Sequence, residues 1–484
     1  MTTDRHDLVI VGMGSAGLAA AEFAASLELR VAAVERARIG GAAVWSGSAP
    51  SKALVAAGRL AHTVRRAGSF GVVTDEPEVD LDRVWRRIAD VCRELADGDD
   101  EPDRFANTGI ELVRGHGRLT GPNEVTVRTG DGERILQARF VLLCTGSRPI
   151  VPDVDGLDTV PTLTSDSLFL APPPQRLVVL GGGPMGVETA QALRRLGLDV
   201  TLVERQSTLL PREEPSLVAQ LTDVLVSEGV EVLTATAAVA ARRAAQGVEL
   251  DVSSRPTRGP QRDAVLHADA VVVACGRAPQ LADLGLEELG IEVGPRGAVV
   301  DERARTTFRS VYAVGDLIDG TRHAHAAEHA AVRAVRDMFL PGRAPVADLV
   351  PWCTFSDPEL AHVGLTTAEA EALHGDDADV WRIDLAHNDR ARIEGTTVGG
   401  IEGTTVGGIV VVTAKDRIVG GHVLAPGAGE LIHELALAVR HEFRLADLAD
   451  LVHVHPTMAT SVGMLAAESA SEKAQRYRWL VRRR

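Results

Sequence analysis

Cysteine is scarce: Cys92, Cys144, Cys275 and Cys353 are the only four, and no two share a CxxC spacing. That excludes a disulfide framework of the kind that staples short secreted domains, and it predicts reduced, buried thiols. Lysine is scarcer still, for among 51 Lys plus Arg only Lys52, Lys415 and Lys473 are lysine. Arginine is the default cation, so each lysine raises the question of chemistry that a guanidinium cannot perform. Long apolar runs are missing, every stretch being broken by glycine or charge before the ~18 residues that a membrane helix needs. No membrane span is expected. Positive charge is in deficit, with a formal net charge of -16, and this argues against nucleic acid, whose binding relies on phosphate neutralisation. Small ligands or proteins are the expected partners. The polar segment Met1–Asp7 runs straight into a strand-like Leu8–Val11 and leaves no room for a secretory leader, so a cytoplasmic location is expected.

What is present is ordinary globular composition, 45% hydrophobic and 24% charged, over 484 residues. That length suits roughly three domains. The first readable unit is Leu8–Val11, then Gly12-Met13-Gly14-Ser15-Ala16-Gly17, an Ala-rich helix, and the strand Arg30–Val34 ending at Glu35. Strand, glycine turn, helix and terminal acid together form a dinucleotide fingerprint: the glycines permit a tight turn and close approach of pyrophosphate, and the acid can accept from a ribose hydroxyl. The unit recurs at Leu177–Leu180, Gly181-Gly182-Gly183-Pro184-Met185-Gly186, a helix closing at Gly197, and Val200–Val203 ending at Glu204. Two complete fingerprints predict two bound dinucleotides. Pro172-Pro173-Pro174 marks the linker between them. Ala53–Arg66 and Leu81–Leu95 have helical periodicity, while Glu124–Val127 and Phe140–Leu143 read as strands.

From about Val350 the pattern becomes mixed, with strands expected near Thr354–Phe355, Gly408–Val412 and Ile418–Val423 and helices from Gly429 and after Pro456. A third, α+β domain is predicted. It contains an identical tandem octapeptide, Ile393–Gly400 and Ile401–Gly408, read as a local duplication that lengthens a hairpin loop. His325-Ala326-Ala327-Glu328-His329 matches a zinc-peptidase pattern. It falls immediately after Gly315-Asp316, on a helix with another use, and no metal is assigned. The basic, aromatic tail Arg476–Arg484 is read as a frayed terminus.

These motifs resemble the flavoprotein disulfide reductase family, which includes dihydrolipoamide dehydrogenase, glutathione reductase and mercuric reductase. The resemblance runs through the first fingerprint, Pro50-Ser51-Lys52, Cys144-Thr145-Gly146-Ser147-Arg148-Pro149, Gly181–Glu188, Gly276-Arg277-Ala278-Pro279, Tyr312-Ala313-Val314-Gly315-Asp316 and His455-Pro456-Thr457. It implies an α/β fold of two Rossmann-like dinucleotide-binding domains, for FAD and NAD(P), plus a C-terminal α+β dimerisation domain. The expected division is 1–155 with 281–345 for FAD, 156–280 for NAD(P) and 346–484 for the interface of a homodimer. The resemblance puts Gly12, Gly14, Gly17, Glu35, Lys52, Thr145, Gly146, Gly315 and Asp316 on FAD, with Glu35 at the adenosine ribose and Asp316 at the ribityl chain. It puts Gly181, Gly183, Gly186, Glu204 and Gly276 on NAD(P)H. Lys52 is expected to pair with Glu188 beside the flavin N5, and His455 to point into the partner subunit's active site.

The departures from that family direct the functional expectation. Its redox dithiol positions are occupied here by Ala43 and Ser48, and thiol–disulfide exchange needs a thiolate and a second sulfur to close on. The glutamate that would orient His455 is replaced by Thr460. Pro184 stands where several members carry an aromatic gate, so the nicotinamide pocket is expected to be more open. Glu204 favours NADH by repelling a 2′-phosphate, whereas Arg205 could attract one, so NADPH stays possible. The expected enzyme is an FAD-dependent NAD(P)H dehydrogenase passing electrons to a quinone-like acceptor, similar to the cysteine-deficient NAD(P)H:quinone reductases. Alternatives are a soluble pyridine nucleotide transhydrogenase and a catalytically silent flavin-binding scaffold or redox sensor.

Overall fold

The computed structural model describes residues 4–96, 105, 108–255, 261–346, 349–395 and 405–476. Within them the first glycine turn joins the strand Asp4–Val11 to the helix Ser15–Ser26. Leu8, Val9 and Ile10 are fully buried, as an apolar strand covered on both faces must be. Its seven-stranded sheet runs Ile110–Arg114, Val31–Glu35, Asp4–Val11, Gly132–Leu143, Glu124–Thr129, His116–Gly121, with Val311–Ala313 also paired to Gly132–Leu143. Ile110–Arg114 through Gly132–Leu143, and Val311–Ala313, are parallel neighbours; the other two strands add an antiparallel meander. Ala16, Ala20, Ala21 and Ala24 face inward and share a core with Ala327, Ala330, Ala331 and Ala334 of the helix Ala324–Phe339. Small side chains on both helices let the backbones approach closely, which makes a helix with little apolar bulk part of the core.

The second glycine turn repeats this plan with the strand Arg176–Leu180, the helix Pro184–Arg195 and the strand Asp199–Val203. Its sheet runs Glu231–Leu233, Asp199–Val203, Arg176–Leu180, Ala270–Val273, Thr162–Leu163, all parallel. In both sheets the third, second and first strands of the unit are followed by a later one. The connections therefore diverge beside the first strand, the switch point at which open α/β sheets bind ligands.

The third sheet is antiparallel and runs Trp352–Thr354, Glu359–Gly364, Arg417–Ala425, Gly408–Ala414, Ala378–Asp384. The helices Ala428–Arg440 and Thr460–Arg476 share its core. The fold is thus α/β, two Rossmann-like units followed by an α+β unit. The tandem octapeptide lies in the connection from Ala378–Asp384 to Gly408–Ala414. Residues 396–404, five of the first copy and four of the second, fall outside the described residues, as do 477–484 of the basic tail.

All three parts meet at one indole. Trp352 donates its ring N–H to Glu213 Oε1 at 2.6 Å, Glu213 lying just before the helix Pro215–Ser227 of the second unit. The indole stacks on His362 with 3.9 Å between centroids, and on His323, which caps Ala324–Phe339, at 5.9 Å. His325 stacks on His323 at 5.3 Å, and His422 meets His362 edge-on at 4.7 Å. Burial pushes both His323 and His422 down to about 4, so they are neutral at pH 7.

Candidate active site

The glycine turns divide into positions the protein itself requires to be bare and positions it does not. Gly12 has φ +99°, and a Cβ there would stand 2.6 Å from the Cys144 carbonyl oxygen; one on Gly17 would stand 2.0 Å from Gly12 O. Gly181 and Gly186 repeat the pattern, at 2.5 Å from Ala274 O and 1.8 Å from Gly181 O. The middle glycines differ, since a Cβ on Gly14 would have its nearest neighbour at 3.8 Å and one on Gly183 would meet nothing within 4 Å. Room above a bare backbone at a helix N-terminus fits a pyrophosphate approaching from outside the chain.

The terminal acids are held alike. Glu35 accepts from Met13 N and Ala37 N, both at 2.7 Å; Glu204 accepts from Gly182 N at 2.6 Å and Gln206 N at 2.7 Å. Each carboxylate is thereby fixed at its strand end, and each oxygen keeps a second lone pair for a ribose hydroxyl. Gly12, Gly14, Glu35, Thr145 and Gly146 line one cleft of about 440 Å³. Near it Asp316, carried by the turn that Gly315 opens at φ +70°, accepts from Ser147 Oγ at 2.5 Å. Ser147 Oγ in turn accepts from Arg277 Nε at 2.7 Å. Gly276, at φ +102°, offers its carbonyl to Ile150 N at 2.9 Å. These residues suit FAD in the first unit and a nicotinamide dinucleotide in the second.

Lys52 lies in the helix Ser48–Arg66, and its Nζ is 2.9 Å from Glu188 Oε2 on the helix Pro184–Arg195. Glu188 is 4% exposed and Lys52 38%, so the acid is the buried partner of an ammonium that keeps an open side. The other carboxylate oxygen accepts from Phe355 N at 2.8 Å, and the Phe355 ring lies 4.6 Å from Lys52 Nζ. Sequence reasoning missed Phe355, whose backbone bond to Glu188 spans 167 residues. Pro184 occupies the first turn of its helix.

Ala43 sits in the short helix Gly41–Trp45 and Ser48 begins the helix Ser48–Arg66, and the residues from Gly41 to Lys52 contain no sulfur. The expectation of four buried thiols needs correction: Cys92 and Cys144 are buried, but Cys353 is intermediate and Cys275 exposed. Cys275 lies just past the end of the strand Ala270–Val273. Desolvation nonetheless raises all four thiols, with nearby Glu204 adding to the effect at Cys275.

His455 does not join Lys52 and Glu188 within one chain; among the described residues its charged neighbour is Asp389, 3.8 Å from Nε2. Thr460 cannot replace the absent glutamate, because its Oγ1 donates to Thr457 O at 2.6 Å and accepts from Asn388 Nδ2 at 3.1 Å. His325 Nε2 meets Pro351 O at 2.8 Å. No helix among the described residues is long and apolar enough to cross a membrane.

Comparison with known proteins agrees with this geometry. Residues 6–331 match the pyridine nucleotide-disulphide oxidoreductase family, and residues 350–466 its dimerisation domain, which supports a homodimer. Leghemoglobin reductase of Glycine max is 32% identical over 467 residues, covering 95% of this chain and 87% of that protein. Dihydrolipoyl dehydrogenase of Bacillus subtilis is 30% identical, covering 97% of this chain and 98% of that protein. The Cu(II) complex of the HOCl-induced flavoprotein disulfide reductase RclA from Escherichia coli superposes with a TM-score of 0.82 at 26% identity, covering 96% and 99% of the two chains. The chain belongs to the flavoprotein disulfide reductase family and is a flavin-dependent pyridine nucleotide oxidoreductase.

Proposed function

We propose that this oxidoreductase works without a redox disulfide and passes electrons from NADH, through FAD, to a quinone or quinone-like acceptor. The observation that carries the reading is the sulfur-free segment Gly40–Lys52 in a chain that keeps both nucleotide sites. All four thiols lie outside that segment and are held toward their protonated form, so none is poised as a nucleophile.

Bound FAD would supply the hydride acceptance and onward electron transfer. Lys52 holds a positive charge where negative charge develops on reduction, and Glu188, fixed by Phe355 N, keeps the ammonium in place. Glu204 sets the preference for NADH. Pro184 offers no ring to swing across the nicotinamide pocket, leaving room for a planar acceptor. We assign FAD to 1–155 with 281–345, NAD(P) to 156–280 and the subunit interface to 346–484.

Anaerobic titration with NADH tests the reading. Bleaching of the flavin by about one equivalent per subunit, with menadione turned over and lipoamide not, is the expected result. A long-wavelength thiolate-to-flavin band, or turnover of lipoamide, would overturn it. Efficient hydride transfer to thio-NADP without menadione reduction would instead make the enzyme a transhydrogenase.

A further inference from the structure

We infer that Gln191 is a positioning residue for the Lys52–Glu188 pair, acting through the loop of the third unit that carries Phe355. The inference rests on the reading of Lys52 as the charge beside the flavin only for its effect on rate. Glu188, Gln191 and Arg195 follow one another at intervals of three and four residues on the helix Pro184–Arg195, which puts them on one face. All three are buried, and all three hold the stretch Phe355–Asp357. Glu188 accepts from Phe355 N, and Arg195 Nη1 donates to Asp357 Oδ2 at 2.6 Å. Gln191 grips the backbone itself: its Oε1 accepts from Asp357 N and its Nε2 donates to Asp357 O, each at 2.8 Å. Both Glu228 carboxylate oxygens stand 3.4 Å from Nε2, which fixes that end of the carboxamide as the donor.

Arg195 cannot supply the same constraint. Its guanidinium is also forked onto Glu228, with bonds of 2.7 and 2.6 Å, and a side-chain carboxylate can turn about its own bonds while the backbone behind it shifts. A donor and an acceptor paired with one residue's backbone fix both its position and its rotation, as a neighbouring strand would. Asp357 O keeps a second donor in Arg195 Nη2 at 3.2 Å, whereas among the described residues Gln191 is the acceptor for Asp357 N. Ser356, fully buried, is the one residue between Asp357 and Phe355. Fixing the first N–H therefore aims the second.

Phe355 acts on the ion pair from two sides. Its N–H sets the rotation of the Glu188 carboxylate, and its ring lies 4.6 Å from Lys52 Nζ. A carboxylate held in one rotation keeps the ammonium in one place, and a charge stabilises a developing anion best where nothing has to reorganise. Gln191 reaches that charge through backbone, ring and carboxylate, while its own amide takes no part in the reaction.

With only three lysines in the chain, acetylation of the flavin-loaded dimer followed by peptide mapping reads Lys52 against Lys415, whose side chain is 76% exposed. Gln191→Met keeps the volume and Gln191→Ser keeps polarity without the reach; either suffices if the other does not assemble. In both, the Lys52-to-Lys415 labelling ratio should rise roughly 2- to 5-fold, the size of a weakened ion pair. At saturating NADH, flavin reduction in stopped flow should slow roughly 5- to 20-fold, as loss of one bond to a charged group does. Placed on Lys52→Met, where no ammonium is left to position, the same substitution should slow reduction by less than about 2-fold. A labelling ratio that is unchanged or lower overturns the proposal. So does the full loss of rate repeated on Lys52→Met, which would make Gln191 a general support of the fold. If Lys52→Met itself reduces its flavin at the parent rate, the reading of Lys52 falls, while the labelling ratio still decides whether Gln191 positions the pair.

Discussion

The two nucleotide turns and the segment Gly40–Lys52 lie close together, yet they have been treated oppositely. In the turns every glycine and acid of the family pattern is present, and the two copies are held by matching bonds, from Met13 and Ala37 to Glu35 and from Gly182 and Gln206 to Glu204. Between Gly40 and Lys52 the helices and the Lys52–Glu188 pair persist but the sulfur is gone. Cofactor binding depends on backbone shape that leaves no room for a Cβ at Gly12, Gly17, Gly181 and Gly186, whereas the chemistry downstream of a flavin depends on a few side chains that can be exchanged without disturbing the fold.

The hardest way to break this contrast is to add a methyl group where the turns exclude one. Gly17→Ala and Gly186→Ala force a Cβ onto a carbonyl oxygen at 2.0 and 1.8 Å. The first should yield protein purified without flavin. The second should keep flavin but lose reduction by NADH, so flavin absorbance per subunit and stopped-flow traces separate the two units. If either variant retains its nucleotide at the parent affinity, the turns can move to admit a Cβ.

Next in size is Lys52. Lys52→Met should slow flavin reduction by about 10²–10³, as loss of an oxyanion-type donor does, and more than Glu188→Gln. Lys52→Arg should not restore the rate, because the planar head cannot occupy an ammonium's place. Equal rates in Lys52→Met and the parent would make the retained pair structural.

The contrast extends to acid. The ring cluster around Trp352 holds His422 neutral, its value pushed down to about 4 by burial, against an ordinary ~6.5 for histidine. The resulting stability is complete above pH ~6.5 and is lost as pH falls through that window toward ~4. Urea midpoints from pH 7 to 4 should show a loss that His422→Gln reduces by on the order of 1–3 kcal/mol, part of it staying with His323, which is shifted the same way. Smallest of all, deleting one octapeptide should change stability by well under ~1 kcal/mol, since loop-closure entropy varies slowly with length. Loss of dimer or activity in that deletion would give the repeat a task.

Much of the fold could be read because its signals are local. Leu8–Val11 with Gly12 to Gly17, and Leu177–Leu180 with Gly181 to Gly186, announce their units within a few residues. Helix ends were less legible: Ser48–Arg66 begins before the predicted Ala53, because Pro50 suits a first turn and periodicity alone cannot register it. Lys52–Glu188 came from resemblance, not from spacing. Phe355 N, Asp389 beside His455, and the rings flanking Trp352 had no local signature, being joined by contacts between distant parts of the chain. Exposure of Cys275 went unseen because a strand end looks apolar in sequence whether or not the sheet continues over it.

The indole of Trp352 sets a mechanical limit on the molecule. Its N–H belongs to the second unit's Glu213, its ring lies on His362 of the third, and His323 of the first stacks against it. Swinging the second unit outward would have to break the indole's bond to Glu213, while the stacking on His362 and His323 stays with the other two parts.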